Sequence, residues 1–406
     1  MKRKSDHSVC FSVLGNKNTY WYTFELSKEG EDDRIIVPCR CDCGCRCAKR
    51  FRHDTTKDTP FLSPTKVLPQ KDRDGPGWTV IGNQLYRLGG TIATKKHNCP
   101  YSYKQTKTVR ALDLTRNTTT EKSTDGGNYT PRWQHKPRML APRRIPKTVV
   151  VGGKLYVLGW LDEISQACRA GILISIIKYV LGWLTDDDDE QPWGEVYDPT
   201  SNTWEALPPP PKFLKCNFFW AGLEDDNDGK KGSIIILSVM DERVLEYNVA
   251  TKSWNVSELP NGFGRHWVGN PGGPAVAVGR MLYWFCSNSC RLYGVHLDSH
   301  IVHKSELVVD VLKDGLGEPM LGHLGGHKFF LLHPDYDIGY DIDDDDDYDD
   351  DDDDDDDYER PKTIPIHCLK FSVGLVAGSK RMSISVESSQ SFVIRNFLRF
   401  NGCVVM

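Results

Sequence analysis

The sequence predicts an all-β fold assembled from repeated four-stranded sheets, and three observations carry that reading. Two segments, VYDPTSNTWEALPPPP (196–211) and EYNVATKSWNVSELP (246–260), share a Tyr, a turn of small polar residues and a Trp seven positions after the Tyr. Five short apolar runs, each led by glycine, sit ahead of such segments: GNQLYRLGG (82–90), GGKLYVLGW (152–160), GSIIILSVM (232–240), GRMLYWFCS (279–287) and GHKFFLLHP (326–334). The 35 Gly and 23 Pro are scattered between these runs, which favours strands and turns over long helices.

Each Tyr/Trp segment has the chemistry of a hairpin. β-Prone residues lead into a Pro-Thr-Ser-Asn or Ala-Thr-Lys turn, and the return strand ends at a proline. From Trp204 to Trp254 is 50 residues, and from Tyr283 to Phe330 is 47. A four-stranded unit at a period of about 50 residues is the period of one blade of a propeller.

These segments resemble kelch repeats, and their order and wording resemble plant F-box/kelch-repeat proteins. The resemblance is strong at 78–90 and 147–211, moderate at 232–308 and weak toward both ends. It implies a kelch-type β-propeller of six four-stranded blades over residues 18–400, with irregular inserts at about 38–75, 161–190 and 335–360 and tails at 1–17 and 401–406. The six expected hairpins are YWYTFELSKEGEDDRIIV (20–37), TVRALDLTRNTTTEKS (108–123), the two Trp-bearing segments, CRLYGVHLDSHIVHKSELV (290–308) and IHCLKFSVGLVAGSKRMSISV (366–386). The first lacks a strand pair ahead of it, so SFVIRNFLRF (391–400) is expected to complete that blade and protect its edge. Only Gly89-Gly90 keeps the double glycine of the repeat.

Two inserts stand out. LYVLGWLDE (155–163) is nearly repeated as KYVLGWLTDDDDE (178–190), and one blade cannot use one strand twice. The apolar run AGILISIIKYVLGWL (170–184) is 15 residues with Lys178 inside it, short of the roughly 20 needed to span a bilayer. It is read as a buried or partner-packed insert, not a membrane helix. The second insert, residues 341–357, holds 15 Asp and no basic residue, so the formal net charge of −5 conceals a remainder carrying +10. Like charges with no apolar offset predict a solvated loop.

Several functions are excluded or unsupported by motif. No GxSxG, HExxH, P-loop or strand-to-helix GxGxxG occurs. Metal-dependent enzymes of the kelch type are the second alternative, but their spaced Glu/Asp/His triad is matched only by Glu306–Asp310–Asp314, which ends in the wrong residue. No catalytic residue and no cofactor is therefore expected. CRCDCGCRC places Cys39, Cys41, Cys43, Cys45 and Cys47 at every second position, which on a strand would align the thiols on one face for a soft metal. Structural zinc sites pair two short Cys motifs, and here there is one. The cluster is read as an oxidation-prone connector, with those five cysteines as the metal candidates. The 13 Cys, odd in number and irregular outside the cluster, predict reduced thiols in cytoplasm or nucleus.

Recognition is the expected activity, because propeller loops vary over a rigid scaffold. Two loops combine basic and aromatic residues, PRWQHKPRMLAPRR (131–144) and NGFGRHWVGN (261–270). Trp and Arg are the residues most enriched at interface anchors, so the partner-binding candidates are Trp133, Arg138, Arg143, Arg144, Arg265, His266 and Trp267. The expected partner is a protein, with no specific nucleic acid and no membrane, and the chain is expected to be a monomer. In the family it resembles, an F-box recruits a ubiquitin-ligase subunit and the propeller selects the substrate. Strand-like TYWYTFEL begins already at Thr19, so no F-box is expected ahead of the repeats, and the ligase role is an alternative to a stand-alone binding module. Replacing all five clustered cysteines with Ser is expected to change stability by less than about 0.5 kcal/mol in thermal melts, with chelator equally without effect on the wild type.

Overall fold

The computed structural model describes residues 8–14, 18–26, 34–38, 49–53, 62–64, 66–69, 76–93, 103–114, 133–159, 191–211, 218–224, 232–238, 242–260, 275–286, 289–309, 319–334, 363–395 and 399–405. Among them all regular structure is β-strand, and no described helix is long and apolar enough to cross a membrane. Of the 28 described strands, 24 fall into six antiparallel runs of four. The first is Arg399–Val405, Ser8–Leu14, Asn18–Glu25 and Lys66–Pro69, and the second is Gly77–Ile81, Gln84–Leu88, Val109–Asp113 and Gln134–Lys136. The third is Lys147–Val151, Lys154–Leu158, Gly194–Asp198 and Thr203–Ala206; the fourth is Phe218–Glu224, Gly232–Ser238, Arg243–Asn248 and Ser253–Glu258. The fifth is Val276–Val278, Met281–Cys286, Arg291–His296 and Val302–Val309, and the sixth is Met320–Gly325, Lys328–Pro334, Thr363–Leu375 and Arg381–Arg395. These runs are the four-stranded blades of an all-β, kelch-type β-propeller, and the fifth and sixth are joined in one sheet by parallel pairing of Val302–Val309 with Arg381–Arg395.

Several boundaries differ from expectation, each for a reason in the pairing. The strand that joins the first blade is Arg399–Val405, beside Ser8–Leu14, while Ser391–Arg395 ends the long last strand of the sixth blade. Residues 8–14 therefore supply the strand that seemed missing ahead of the first hairpin, and residues 401–405 are strand and not tail. Arg34–Pro38 does not pair with residues 20–25 but with Lys49–His53, a hairpin that joins the edge of Val302–Val309 in parallel. Val109–Asp113 pairs with Gln134–Lys136, so the expected return strand near residue 120 is replaced by a much later one. Of the near-duplicates, the first copy forms the blade strand Lys154–Leu158. The second copy and the Asp run lie outside the described residues, as does most of the 38–75 connector.

The chain divides into two compact units, Met1–Pro69 with Phe285–Gly294 and Val302–Met406, and Gln70–Trp284 with Val295–Ile301. In the first unit Phe11, Tyr22, Phe24, Phe330, Leu332 and Ile366 belong to one core. In the second, the strand KLYVL shows why its sequence is a continuous apolar run. Leu155 and Val157 join Tyr86, Leu88 and Val109 on one face, while Tyr156 and Leu158 join Ile234, Ile236 and Leu245 on the other. A strand packed between two sheets has no solvent face to mark with polar residues.

The hairpin turns repeat atom for atom. Asp198 Oδ1 accepts the Thr200 and Ser201 amides at 2.8 and 3.4 Å, and Asn248 Oδ1 accepts those of Ala250 and Thr251 at 3.0 and 2.9 Å. In the fifth blade His296 Nδ1 takes the same role for Asp298 and Ser299, both at 3.3 Å. Four residues on, Asn202, Lys252 and His300 all have φ between 52° and 58°, the left-handed position that closes each turn. The Tyr and Trp that revealed the repeat pack with tilted rings, centroids 5.1 Å apart (Tyr197, Trp204) and 5.0 Å apart (Tyr247, Trp254). Each indole then reaches back along the chain: Trp204 Nε1 donates to Pro137 O and Trp254 Nε1 to Pro208 O, both at 2.9 Å.

Trp204→Phe and Trp254→Phe each remove that donor and leave a carbonyl unpaired, at an expected cost of about 1–3 kcal/mol in urea unfolding. The buried phenols give a pH prediction. Burial, then the charge of Tyr197, pushes Tyr86 to about 12, and burial, then Tyr20, pushes Tyr22 to about 12. An unfolded phenol titrates near 10. The stabilisation these groups provide is complete below about pH 10 and is lost as pH rises through about 12. Phenolate absorbance and unfolding should therefore rise together in that window.

Candidate protein-binding surface

The connection from the second blade to the third, Pro137–Pro146, is held from beneath by one buried ion pair. Arg143 is 1% exposed and Glu195 0%. Arg143 Nε donates to Glu195 Oε1 at 2.9 Å, and the rest of the guanidinium donates to backbone carbonyls: Gly159, Trp193 at 3.2 Å and Pro192 at 2.9 Å. Glu195 also accepts the amides of Leu140 at 2.5 Å and Ala141 at 3.5 Å. Burial pulls the Arg143 pKa down while the charge and hydrogen bond of Glu195 push it back. An arginine keeps its charge in either case. A buried pair is tolerable when further hydrogen bonds satisfy its donors and lone pairs, and here all three guanidinium nitrogens donate and both carboxylate oxygens accept.

Gly89 and Gly90 fit against the same residue. Gly89 has φ +60°, and a Cβ there would lie 2.4 Å from Arg143 O, so the double glycine is a requirement of close approach as well as of turning. Gly90 N donates to Arg143 O at 2.9 Å, and Thr106 and Arg143 form an antiparallel bridge. The small hairpin Thr91–Ala93 with Tyr103–Gln105 continues from there, pairing Ile92 with Lys104. Lys107 Nζ donates to Leu140 O at 2.5 Å, and Met139 N to Lys107 O at 3.0 Å. Residues 89–93, 103–108 and 137–145 are thus laced into one surface.

On that surface Lys104, Lys107 and Arg138 are exposed and Arg144 is half-buried. Lys147 is turned onto aromatic rings, 4.1 Å from the Trp220 centroid and 5.0 Å from Phe218. Three large apolar side chains are also exposed: Ile92 at 41%, Leu140 at 39% and Ile145 at 55%. Apart from buried Glu195, the described residues of these segments include no Asp or Glu. Among the described residues, no group of three or more His, Cys, Asp or Glu could hold a metal ion.

The residues singled out from sequence fare differently. Arg143 is corrected: it is buried and fully engaged inside the protein, so it positions the loop and is not available to a partner. Arg138 is exposed on the loop. Trp133 is half-buried, with its ring 6.1 Å from Trp78, so it packs against its own blade. Arg265, His266 and Trp267 lie outside the described residues, as do Cys39, Cys41, Cys43, Cys45 and Cys47. Sequence reasoning missed Lys104, Lys107, Ile92, Leu140, Ile145 and Glu195. The available signal was the pair of bulky apolar residues, Leu140 and Ile145, in a connector otherwise rich in Pro and Arg.

No protein-family model matches the chain. An F-box/kelch-repeat protein of Arabidopsis thaliana is 26% identical over 131 residues, which are 32% of this chain and 23% of the relative. A second is 26% identical over 149 residues, 37% and 26% of the two chains, and a third is 23% identical over 199 residues, 49% and 37%. The chain is similar to plant F-box/kelch-repeat proteins. The match spans about a quarter of the length of the first two relatives. The solved structure of YjhT aligns with a TM-score of 0.36 at 14% identity, covering 74% of this chain and 81% of that one.

Removing Arg143 alone strands a buried carboxylate. Arg143→Met is expected to lose about 3–5 kcal/mol, and adding Glu195→Leu should recover most of it. Denaturant midpoints of the two single variants and the double variant check this, with non-additivity as the signature of direct coupling.

Proposed function

We propose that the protein is a non-catalytic interaction module that binds another protein through the loops at the ends of its blades. The observation that carries this reading is the Pro137–Pro146 connection, where exposed Leu140 and Ile145 stand on a backbone fixed by the buried Arg143–Glu195 pair. Apolar side chains on a rigid, exposed loop bind with little ordering cost, which suits an interface anchor. The protein would act as a monomer in the cytoplasm or nucleus, in keeping with its irregular cysteine usage.

A second reading is that the chain selects substrates for a ubiquitin ligase. Its support is the similarity to plant proteins named for an F-box as well as for kelch repeats. The two readings separate by what accompanies the partner. Affinity purification of the tagged full chain from plant extract, with quantitative mass spectrometry, is expected to recover a protein partner. Ile145→Asp should reduce that recovery by about tenfold or more, the effect of losing one anchor of about 1.4 kcal/mol. Lys252→Glu, in a hairpin turn at the other end of its blade, should leave it unchanged. Co-recovery of Skp1 and cullin in stoichiometric amounts would favour the ligase reading, and recovery unaffected by Ile145→Asp would remove this loop from the interface.

A further inference from the structure

We infer that the surface around the second-to-third blade connection takes an acidic peptide segment carrying bulky aliphatic or aromatic side chains. This deepens the interaction-module reading and rests on it. Among the described residues of the chain, six large apolar side chains are exposed, and three of them, Ile92, Leu140 and Ile145, belong to this one laced surface. Two of these are tied to cations by the backbone. Ile92 is the cross-strand partner of Lys104, and Lys104 and Ile145 each lie two residues from the Thr106–Arg143 bridge, on the same side of it. The third, Leu140, accepts the Lys107 ammonium on its carbonyl, with Arg138 two residues earlier.

Charge then selects the partner. Lys104, Lys107 and Arg138 are exposed, and the described residues of these segments offer them no surface carboxylate, since Glu195 is buried and paired to Arg143. Elsewhere in the same unit the exposed Lys154 and Lys252 and the half-buried Arg280 are neutralised locally. Lys252 pairs with Glu205, Lys154 with Asp198 at 2.8 Å, and Arg280 with Glu246 at 3.0 Å and Asp298 at 2.6 Å. Local pairing is thus the habit of this unit, and the connection departs from it. Exposed cations that no carboxylate among the described residues of these segments neutralises, set among exposed aliphatics, match a segment with carboxylates around apolar anchors, because charge sets register and approach while the anchors supply most of the affinity. Branched aliphatics argue against a nucleic acid, whose bases are gripped by stacking on aromatic faces.

The test uses the full chain and fluorescence anisotropy with a labelled twelve-residue probe of Asp alternating with Leu and Phe. Control probes replace Leu and Phe by Ser, or Asp by Lys, and a single-stranded RNA twelve-mer stands for nucleic acid. The alternating acidic probe should bind at least tenfold more tightly than either peptide control. Lys104→Glu and Arg138→Glu should each weaken it about fivefold or more, and Leu140→Ser with Ile145→Ser should weaken it while leaving the Asp/Ser probe unaffected. All four positions are exposed, so unchanged melting temperatures certify the variants. Equal binding of the Asp/Ser probe, indifference to the charge reversals, or tighter binding of the RNA would each overturn the inference. A cellular partner still captured by the full chain in that event would leave the interaction-module reading intact and remove only the acidic-peptide assignment.

Discussion

The arrangement of the second and third blades depends on a single buried cation and the carboxylate that answers it. Arg143 and Glu195 belong to different segments, one in a proline-rich connection and one in the third strand of a blade, and 52 residues separate them. Their pairing fixes more than themselves. The guanidinium gathers the carbonyls of Gly159, Pro192 and Trp193, so it defines where the chain leaves the second strand of the third blade and where it returns for the third. The carboxylate gathers the amides of Leu140 and Ala141 and so shapes the loop. Around this centre, Gly89 has no room for a side chain because the Arg143 backbone lies against it. Such a pair adds little net stability over an apolar pair of equal volume, but it specifies one geometry and penalises the rest.

The same economy appears in the hairpins. One side chain at the strand end, whether Asp198, Asn248 or His296, accepts two turn amides, and a left-handed residue follows at the fourth position. Three different residue types satisfy one backbone requirement, since what the turn needs is an acceptor at a fixed distance. The Trp on the return strand of each well-formed hairpin ties it to the carbonyl of a proline earlier in the chain and so links neighbouring segments.

Much of the fold was legible because it rests on such local rules. Period, alternation and turn chemistry identify the blades, and even the only moderately similar copy at 290–308 proves to share the turn of the Trp-bearing ones. What was illegible rests on pairings between distant residues. The exit of Arg399–Val405 to the first blade, the late return strand Gln134–Lys136 and the pairing of Arg34–Pro38 with Lys49–His53 leave no local trace. The candidate surface was half legible. Arg-rich spacing drew attention to the right connector, but sequence does not distinguish an arginine that faces solvent, Arg138, from one that is buried, Arg143. That distinction needs Glu195, whose position in the strand GEVYD looks like an ordinary surface alternation.

The loop is rigid where its side chains are exposed, a property that amide hydrogen exchange reads residue by residue. Leu140 has an exposed side chain, yet its amide donates to a fully buried carboxylate. The Leu140 amide should therefore exchange as slowly as the core strand amides of Leu155 and Val157, opening only with global unfolding. Exchange of Leu140 at the rate of a free loop, with Leu155 and Val157 still protected, would contradict it.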